Sequence, residues 1–119
     1  MDNNIKNLVL ELSNAANESK EYKEYSKYHK ELLENPEIKK IVDDFRILQT
    51  EIELKRLSEN SVSKEEEQRV DKLYDKVSEN ELCSNFIESE KKLITLVSEI
   101  YKMLGENISI DMDFFKSIN

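Results

Sequence analysis

The chain has 119 residues, of which 37% are charged and 38% hydrophobic, and it contains one glycine, one proline and no tryptophan. This composition favours helices and argues against a sheet protein, because the residues that punctuate turns are almost absent. The net charge of −8 makes the chain as a whole repel phosphate backbones and anionic membrane surfaces, so we expect neither direct nucleic-acid binding nor membrane binding.

The length and the terminal segment indicate one cytoplasmic domain. A chain of this length can bury roughly two-thirds of the surface that it exposes when unfolded, so residues 1–119 are predicted to form a single helical domain. The first residues, MDNNIKN, are polar and mixed in charge, unlike a secretion leader. No apolar run approaches the ~18 residues that a membrane span needs, and a single cysteine excludes an intrachain disulfide.

Two short amphipathic helices are predicted at the start of the chain. The first runs from about Asn4 to Ala16, with Leu10 off an apolar face whose spacings of three and four are those of a helix. That face consists of Ile5, Leu8, Val9, Leu12 and Ala16. The second helix opens near Ser19 and carries along one side Tyr22, Tyr25, His29 and Leu32. Helices this short are marginal alone, so we expect both to be held by packing.

The third predicted helix is apolar on two sides. Asn35 is a suitable N-cap and Pro36 a suitable first residue, because proline lacks the donor that this position cannot use. One continuous seam consists of Ile38, Ile41, Phe45, Leu48 and Ile52. At about 100° per residue, Ile47 and Leu54 fall nearly opposite that seam. We interpret these two residues as a contact with another protein chain.

An alternative for Ile47 and Leu54 is that they pack inside their own chain. Replacing both by lysine separates the two interpretations, because an interface variant stays helical and becomes smaller, whereas a core variant unfolds. Tyr22 and Tyr25 are further interface candidates. Their stacking on bases is disfavoured because an acidic chain offers no basic groove.

Capping signals mark the last two helices. Ser63 and Glu66 form a capping box of the S-x-x-E type, which predicts a fourth helix from there. Asn80 caps a fifth helix, and Gly105 is predicted to end it because glycine tolerates the left-handed turn after many helices. Residues 105–119 then form an apolar C-terminal tail, which is either docked on the bundle or available to a partner.

The order of these signals resembles the YlbF/YmcA family of small helical bacterial regulatory proteins over roughly residues 5–104. Members of that family show an S-x-x-Y-K-x-Y helix, an N-P-E start of a long helix, a second N-P-like start, and an acidic E-x-E segment. The matching residues here are Ser19, Tyr22, Lys23, Tyr25, Asn35, Pro36, Glu37, Asn80, Glu88 and Glu90. Glu81 stands where the family usually has proline.

The resemblance implies an all-α bundle of helical hairpins, with about five helices and a long central one, that forms a homodimer or a larger assembly. It also implies a regulatory adaptor without catalysis, associating with related family members and with ribonuclease Y in the control of competence, sporulation, biofilm formation and mRNA processing. Some members ligate iron–sulfur clusters through several cysteines. With one cysteine, this chain is not expected to share that property.

Few residues are of a type that could form a catalytic, redox or metal-binding site. Cys83 lies in the first turn of the fifth helix, where a helix N-terminus lowers a thiol pKa, but a free cysteine is more often a small buried hydrophobe. His29 has no companion ligands at metal-binding spacing. We therefore predict no catalytic, cofactor or metal site. Two alternatives to the adaptor remain, a homo-oligomer without a ribonuclease connection and a redox or iron-responsive sensor using Cys83.

Overall fold

The computed structural model describes residues 1–58 and 61–109, and this part of the chain folds into α-helices without strands. The helices are α1 (Asn3–Asn17), α2 (Lys20–Leu33), α3 (Pro36–Leu57), α4 (Lys64–Glu79) and α5 (Glu81–Asn107). The predicted all-α fold of five helices is confirmed. The oligomeric state that accompanied it stays a prediction.

Side-chain caps explain where three of the helices begin. Ser19 Oγ accepts a hydrogen bond from the Tyr22 N–H at 3.2 Å, Ser63 Oγ accepts one from the Glu66 N–H at 3.1 Å, and Asn80 Oδ1 accepts one from the Cys83 N–H at 3.0 Å. Each of these hydrogen bonds satisfies a backbone N–H of the first helical turn, which has no acceptor within the helix. The helix starts predicted at Ser19, Ser63 and Asn80 are therefore confirmed.

Two details of the predicted helix ends are wrong. Asn35 precedes α3 as expected, but its side chain makes no capping hydrogen bond, and its Nδ2 instead donates to the Glu31 carbonyl of α2 at 2.8 Å. Gly105 does not end α5, which continues to Asn107 with Gly105 buried inside the helix. A single glycine costs a helix only about 1 kcal/mol, which is too little to stop a long one. Most of the predicted tail, residues 110–119, lies outside the described residues.

The contacts divide the chain into two compact units. The first unit combines Met1–Tyr25 with the part of the chain from Ser89 onward, and the second unit is Ser26–Glu88. The first unit thus contains α1, the start of α2 and most of α5. That residues 1–119 form one domain stays a prediction.

The second unit contains a conventional core. Its helices α3 and α4 pack against each other, and the ring of Phe45 on α3 lies 6.2 Å from that of Tyr74 on α4. Near the start of α3 the buried side chain is that of Val42, whereas Ile38 and Ile41 of the predicted seam are half-buried. The buried hydrophobic side chains are Leu32, Val42, Phe45, Leu48, Ile52, Val77, Cys83 and Phe86.

The first unit is different, because none of the buried hydrophobic side chains in the described residues belongs to it. Within α1, every residue except Ala16 is exposed. The predicted apolar face of α1 exists, but it does not form a core. Amphipathic helices depend on burying such a face for most of their stability.

Candidate protein-interaction surface

The α3 outer stripe, which we define as Ile47, Leu54 and Leu57, lies on the surface of the second unit. The exposed fractions of Ile47 and Leu54 are 58% and 60%, and that of Leu57 is 78%. Because these side chains are exposed, packing against the described residues of the same chain does not explain them. That Ile47 and Leu54 contact another chain stays a prediction. Their exposure leaves both side chains accessible to a partner.

A groove lined by α3 and α4 adjoins this stripe. It has a volume of about 680 Å³, and its lining includes the apolar side chains of Ile52, Leu54 and Val70. Charged residues of α3 and α4 also line the groove: Glu53, Arg56, Glu67 and Asp71. A surface that combines apolar and charged side chains is compatible with a protein contact.

An ion pair fixes the ends of the two helices beside this groove. Lys55 Nζ on α3 lies 2.6 Å from both carboxylate oxygens of Glu66 on α4. The Ser63 hydroxyl lies 3.2 Å from Glu66 Oε1 and also caps α4. The hydrogen bond from Lys55 is the main reason that the pKa of Glu66 is lowered from its ordinary value of 4.5. The capping box of α4 thus places Glu66 within hydrogen-bond distance of Lys55.

The two tyrosine candidates lie side by side on α2 in the first unit. The ring centroids of Tyr22 and Tyr25 are 6.5 Å apart, with Tyr22 36% exposed and Tyr25 half-buried. This is a packed aromatic pair with one accessible ring. A partial exposure of this kind is compatible with an interface, which stays a prediction.

Cys83 and His29 lie inside the second unit. Cys83 is fully buried, its Sγ lies 3.8 Å from the Ile38 carbonyl oxygen, and burial raises the pKa of the thiol. The helix N-terminus therefore does not produce an activated thiolate, because desolvation disfavours the charged form. The His29 ring lies 6.0 Å from the Phe86 ring. Cys83 is part of the core, and the half-buried His29 packs against the core residue Phe86.

A second groove occurs in the first unit, between α1 and the later turns of α5. This α1–α5 groove has a volume of about 480 Å³. Its lining consists of Ile5, Leu8, Val9, Leu12, Ser13, Ala16, Val97, Ile100, Tyr101 and Leu104. Most of these apolar side chains are 40–56% exposed.

Sequence reasoning found the apolar face of α1 that lines this groove and expected it to be held by packing, whereas most of that face is exposed. The signal that distinguishes this face is charge. The segment Asn3–Asn17 contains only one lysine, Lys6, and one acid, Glu11, in a chain that is otherwise strongly acidic. A helix on the solvated surface normally has a charged face opposite its apolar one.

No helix in residues 1–58 and 61–109 is long and apolar enough to cross a membrane. Within the same residues, no group of three or more histidine, cysteine or acidic side chains is placed to hold a metal ion.

Comparison with known proteins relates nearly the whole chain to one family. Residues 5–109 match the family model described as "Control of competence regulator ComK, YlbF/YmcA". A UPF0342 protein of Clostridium tetani is 31% identical over 68% of this chain and 70% of its own length. A UPF0342 protein of Alkalihalophilus pseudofirmus is 29% identical over 87% of each chain. One of Caldicellulosiruptor saccharolyticus is 28% identical over 94% of this chain and 93% of its own length.

Proposed function

Because the chain belongs to the YlbF/YmcA family, which is associated with the control of competence, we propose that it is a non-enzymatic regulatory adaptor that acts through protein–protein contacts. Its partners are related family members and ribonuclease Y, through which it influences mRNA processing and decisions such as competence, sporulation and biofilm formation. The relatives that it matches are UPF0342 proteins and not members of known enzyme families.

The observation that carries the proposal is the exposed α3 outer stripe on a helix whose opposite side is buried. Phe45, Leu48 and Ile52 anchor α3 in the core of the second unit, so Ile47 and Leu54 are held in fixed positions at the surface. A rigid apolar anchor loses little conformational entropy on binding, which favours affinity. The neighbouring α3–α4 groove has room for apolar side chains of a partner.

The placement of the chemically reactive residues supports an adaptor over an enzyme or a sensor. Cys83 is buried with a raised pKa, and the His29 ring lies against Phe86. A catalytic or redox-sensing side chain must reach a substrate or oxidant, usually in a cleft. The α3–α4 groove is lined by a mixture of apolar, polar and charged side chains and the α1–α5 groove mainly by apolar ones, and both kinds of lining suit protein contact.

A direct binding measurement tests the α3 outer stripe. Purified ribonuclease Y is titrated with the wild-type chain, with the double variant I47K/L54K, and with the control Q68K/S78K. The control adds the same two positive charges at exposed polar positions of α4. We expect saturable wild-type binding, a loss of at least about tenfold in affinity for I47K/L54K, and little change for the control.

Two results would contradict the proposal. One is equal weakening by the two double variants, which would indicate a general charge effect. The other is the absence of saturable binding by the wild-type chain both to ribonuclease Y and to related family members. Circular dichroism checks that I47K/L54K stays helical, as expected for substitutions at exposed positions.

A further inference from the structure

The outer side of α3 has the residue spacing of a seam between two helices. The α3 outer stripe and Thr50 are separated by three, four and three residues, in the order Ile47, Thr50, Leu54 and Leu57. All four side chains are exposed. This heptad spacing places side chains along one narrow line of a helix, where each can pack between side chains of a facing helix.

The α3–α4 groove lies along one flank of this seam. Thr50 and Leu54 belong to the seam and also line the groove, whose lining reaches Val70 on α4. A helix that lies on the seam therefore covers the groove with the side chains of one flank, as in other complexes in which a helix binds in a groove. The seam is about 15 Å long, which corresponds to about three turns of a facing helix.

Acidic residues flank the seam on both sides. In the heptad that has Ile47 at position a, Glu51 is at position e and Glu53 at position g, and both are exposed. Charges at the e and g positions determine which partners a helix of this kind accepts. Glu53 also lines the groove, together with Glu67 and Asp71.

Two arginines near the seam leave this surface acidic. The guanidinium of Arg46, which is the g residue one heptad earlier, lies 5.2 Å from the ring centroid of Phe86 in the core. Arg56 lines the groove, and its Nη1 lies 3.9 Å from Glu53 Oε1. The charged residues that line the groove are thus three acids and one base. Such a surface attracts a positively charged partner and repels an acidic one.

We propose that the α3 outer stripe and the α3–α4 groove bind one amphipathic helix of a partner protein, with apolar residues at heptad spacing and with lysines or arginines at its e and g positions. The apolar residues of that helix pack between Ile47, Leu54 and Leu57, and its basic residues lie beside Glu51 and Glu53. This inference rests on the proposed adaptor function and specifies the element of a partner that the adaptor recognises.

Two synthetic helical peptides test this inference on the full chain. Each consists of about three heptads with leucine at the a and d positions, and the e and g positions are all lysine in one peptide and all glutamate in the other. Like charges at these positions oppose pairing of a peptide with itself. Fluorescence anisotropy of each labelled peptide at nanomolar concentration gives its dissociation constant for the protein.

Two matched pairs of variants separate the charges from the apolar seam. E51K/E53K reverses the flanking charges, and E18K/E34K makes the same change in net charge at exposed positions outside the groove. I47S/L54S removes two apolar residues of the seam without adding charge, and I94S/M103S removes two equally exposed apolar residues of α5. Circular dichroism checks the helix content of each variant.

We expect the wild-type chain to bind the lysine peptide at least about tenfold more tightly than the glutamate peptide. E51K/E53K should lose or reverse this preference, and E18K/E34K should keep it. I47S/L54S should weaken binding of the lysine peptide at least about tenfold, and I94S/M103S less than about threefold.

Three results would overturn the inference. Equal affinity of the wild-type chain for the two peptides, or an equal loss of preference in E51K/E53K and E18K/E34K, would mean that the flanking acids do not select the partner. Equal weakening by I47S/L54S and I94S/M103S would show that the seam is not the contact. Self-association of the wild type that is lost in I47S/L54S, measured by sedimentation velocity, would assign the seam to a second copy of this chain.

The outcome for ribonuclease Y distinguishes this inference from the proposed function. Binding of ribonuclease Y that is lost in I47K/L54K but unchanged in E51K/E53K would contradict the basic helix and leave the adaptor function standing. Selective binding of the lysine peptide, without binding of ribonuclease Y or related family members, would support the basic helix and contradict the proposed partners.

Discussion

Single side chains determine how firmly the ends of α3 and α4 are joined. Glu66 accepts hydrogen bonds from Lys55 of α3 and from Ser63, the N-cap of its own helix. The side chain of Glu66 is 17% exposed and that of Lys55 is 41% exposed, so solvent screens this pair in part. Glu66 is nevertheless the carboxylate whose pKa in the folded chain is clearly lowered among the described residues.

We predict that the stabilisation from Glu66 depends on pH. Because the folded-state pKa is lowered, the contribution is present above the unfolded-state value near 4.5 and is lost as pH falls through the folded-state pKa. Glu66→Gln should therefore lower the melting temperature at pH 7 and have a much smaller effect at about pH 3. Thermal unfolding followed by circular dichroism measures both differences.

The neighbouring exposed acid provides the control for this prediction. Glu67→Gln removes a carboxylate from the same first turn of α4 and should have a smaller effect at pH 7. If Glu66→Gln destabilised the chain equally at both pH values, the ionised pair would not be the source of its contribution.

We also predict that Cys83 is unreactive in the folded chain. The thiol is buried and its pKa is raised, so both reagent access and thiolate concentration are low. Modification by an aromatic disulfide reagent at pH 8 should be at least about a hundredfold slower in the folded chain than in denaturant. Similar rates in the two states would revive the interpretation of Cys83 as a redox sensor.

At the scale of the elements, the helix starts follow from local sequence. Ser63 and Asn80 each precede an amphipathic segment and have a side-chain oxygen that can accept a backbone hydrogen bond, as they do in the structure. Asn35 has the same signals but donates its amide to α2. An asparagine side chain can both donate and accept hydrogen bonds, so which of these it does depends on the groups that the neighbouring helix presents.

This difference between the two asparagines gives a prediction. Asn80→Ala removes a capping hydrogen bond and should reduce the free energy of unfolding by about 1 kcal/mol. Asn35→Ala removes no cap of α3 and should cost less than about half as much. Urea unfolding of the two variants measures both changes. An equal cost would mean that the Asn35 side chain supports α3 to the same extent as a cap.

Periodicity predicted which faces of the helices are apolar, but it could not predict which of these faces are covered. The inner seam of α3 and the apolar face of α1 look alike in sequence, yet Phe45 is 5% exposed and Leu8 is 56% exposed. Burial depends on which helices become neighbours, and that information is not local. The outward position of Ile47 and Leu54 could be predicted from helical periodicity. At about 100° per residue, both fall opposite a long apolar seam.

For the whole molecule, the two units have different properties. The second unit contains the buried hydrophobic side chains of the described residues and holds the α3 outer stripe in position. The first unit contains the neutral, apolar α1–α5 groove. An adaptor requires at least one contact surface for its partners, and the proposed function assigns this role to the α3 outer stripe.

The most direct test of this account is native co-purification of the tagged chain from its own organism under anaerobic conditions, with partners quantified by mass spectrometry. We predict that ribonuclease Y or related family members are recovered at near-stoichiometric levels with the wild type and with Q68K/S78K, and are depleted with I47K/L54K. Recovery of the chain with no protein other than itself would contradict the adaptor function.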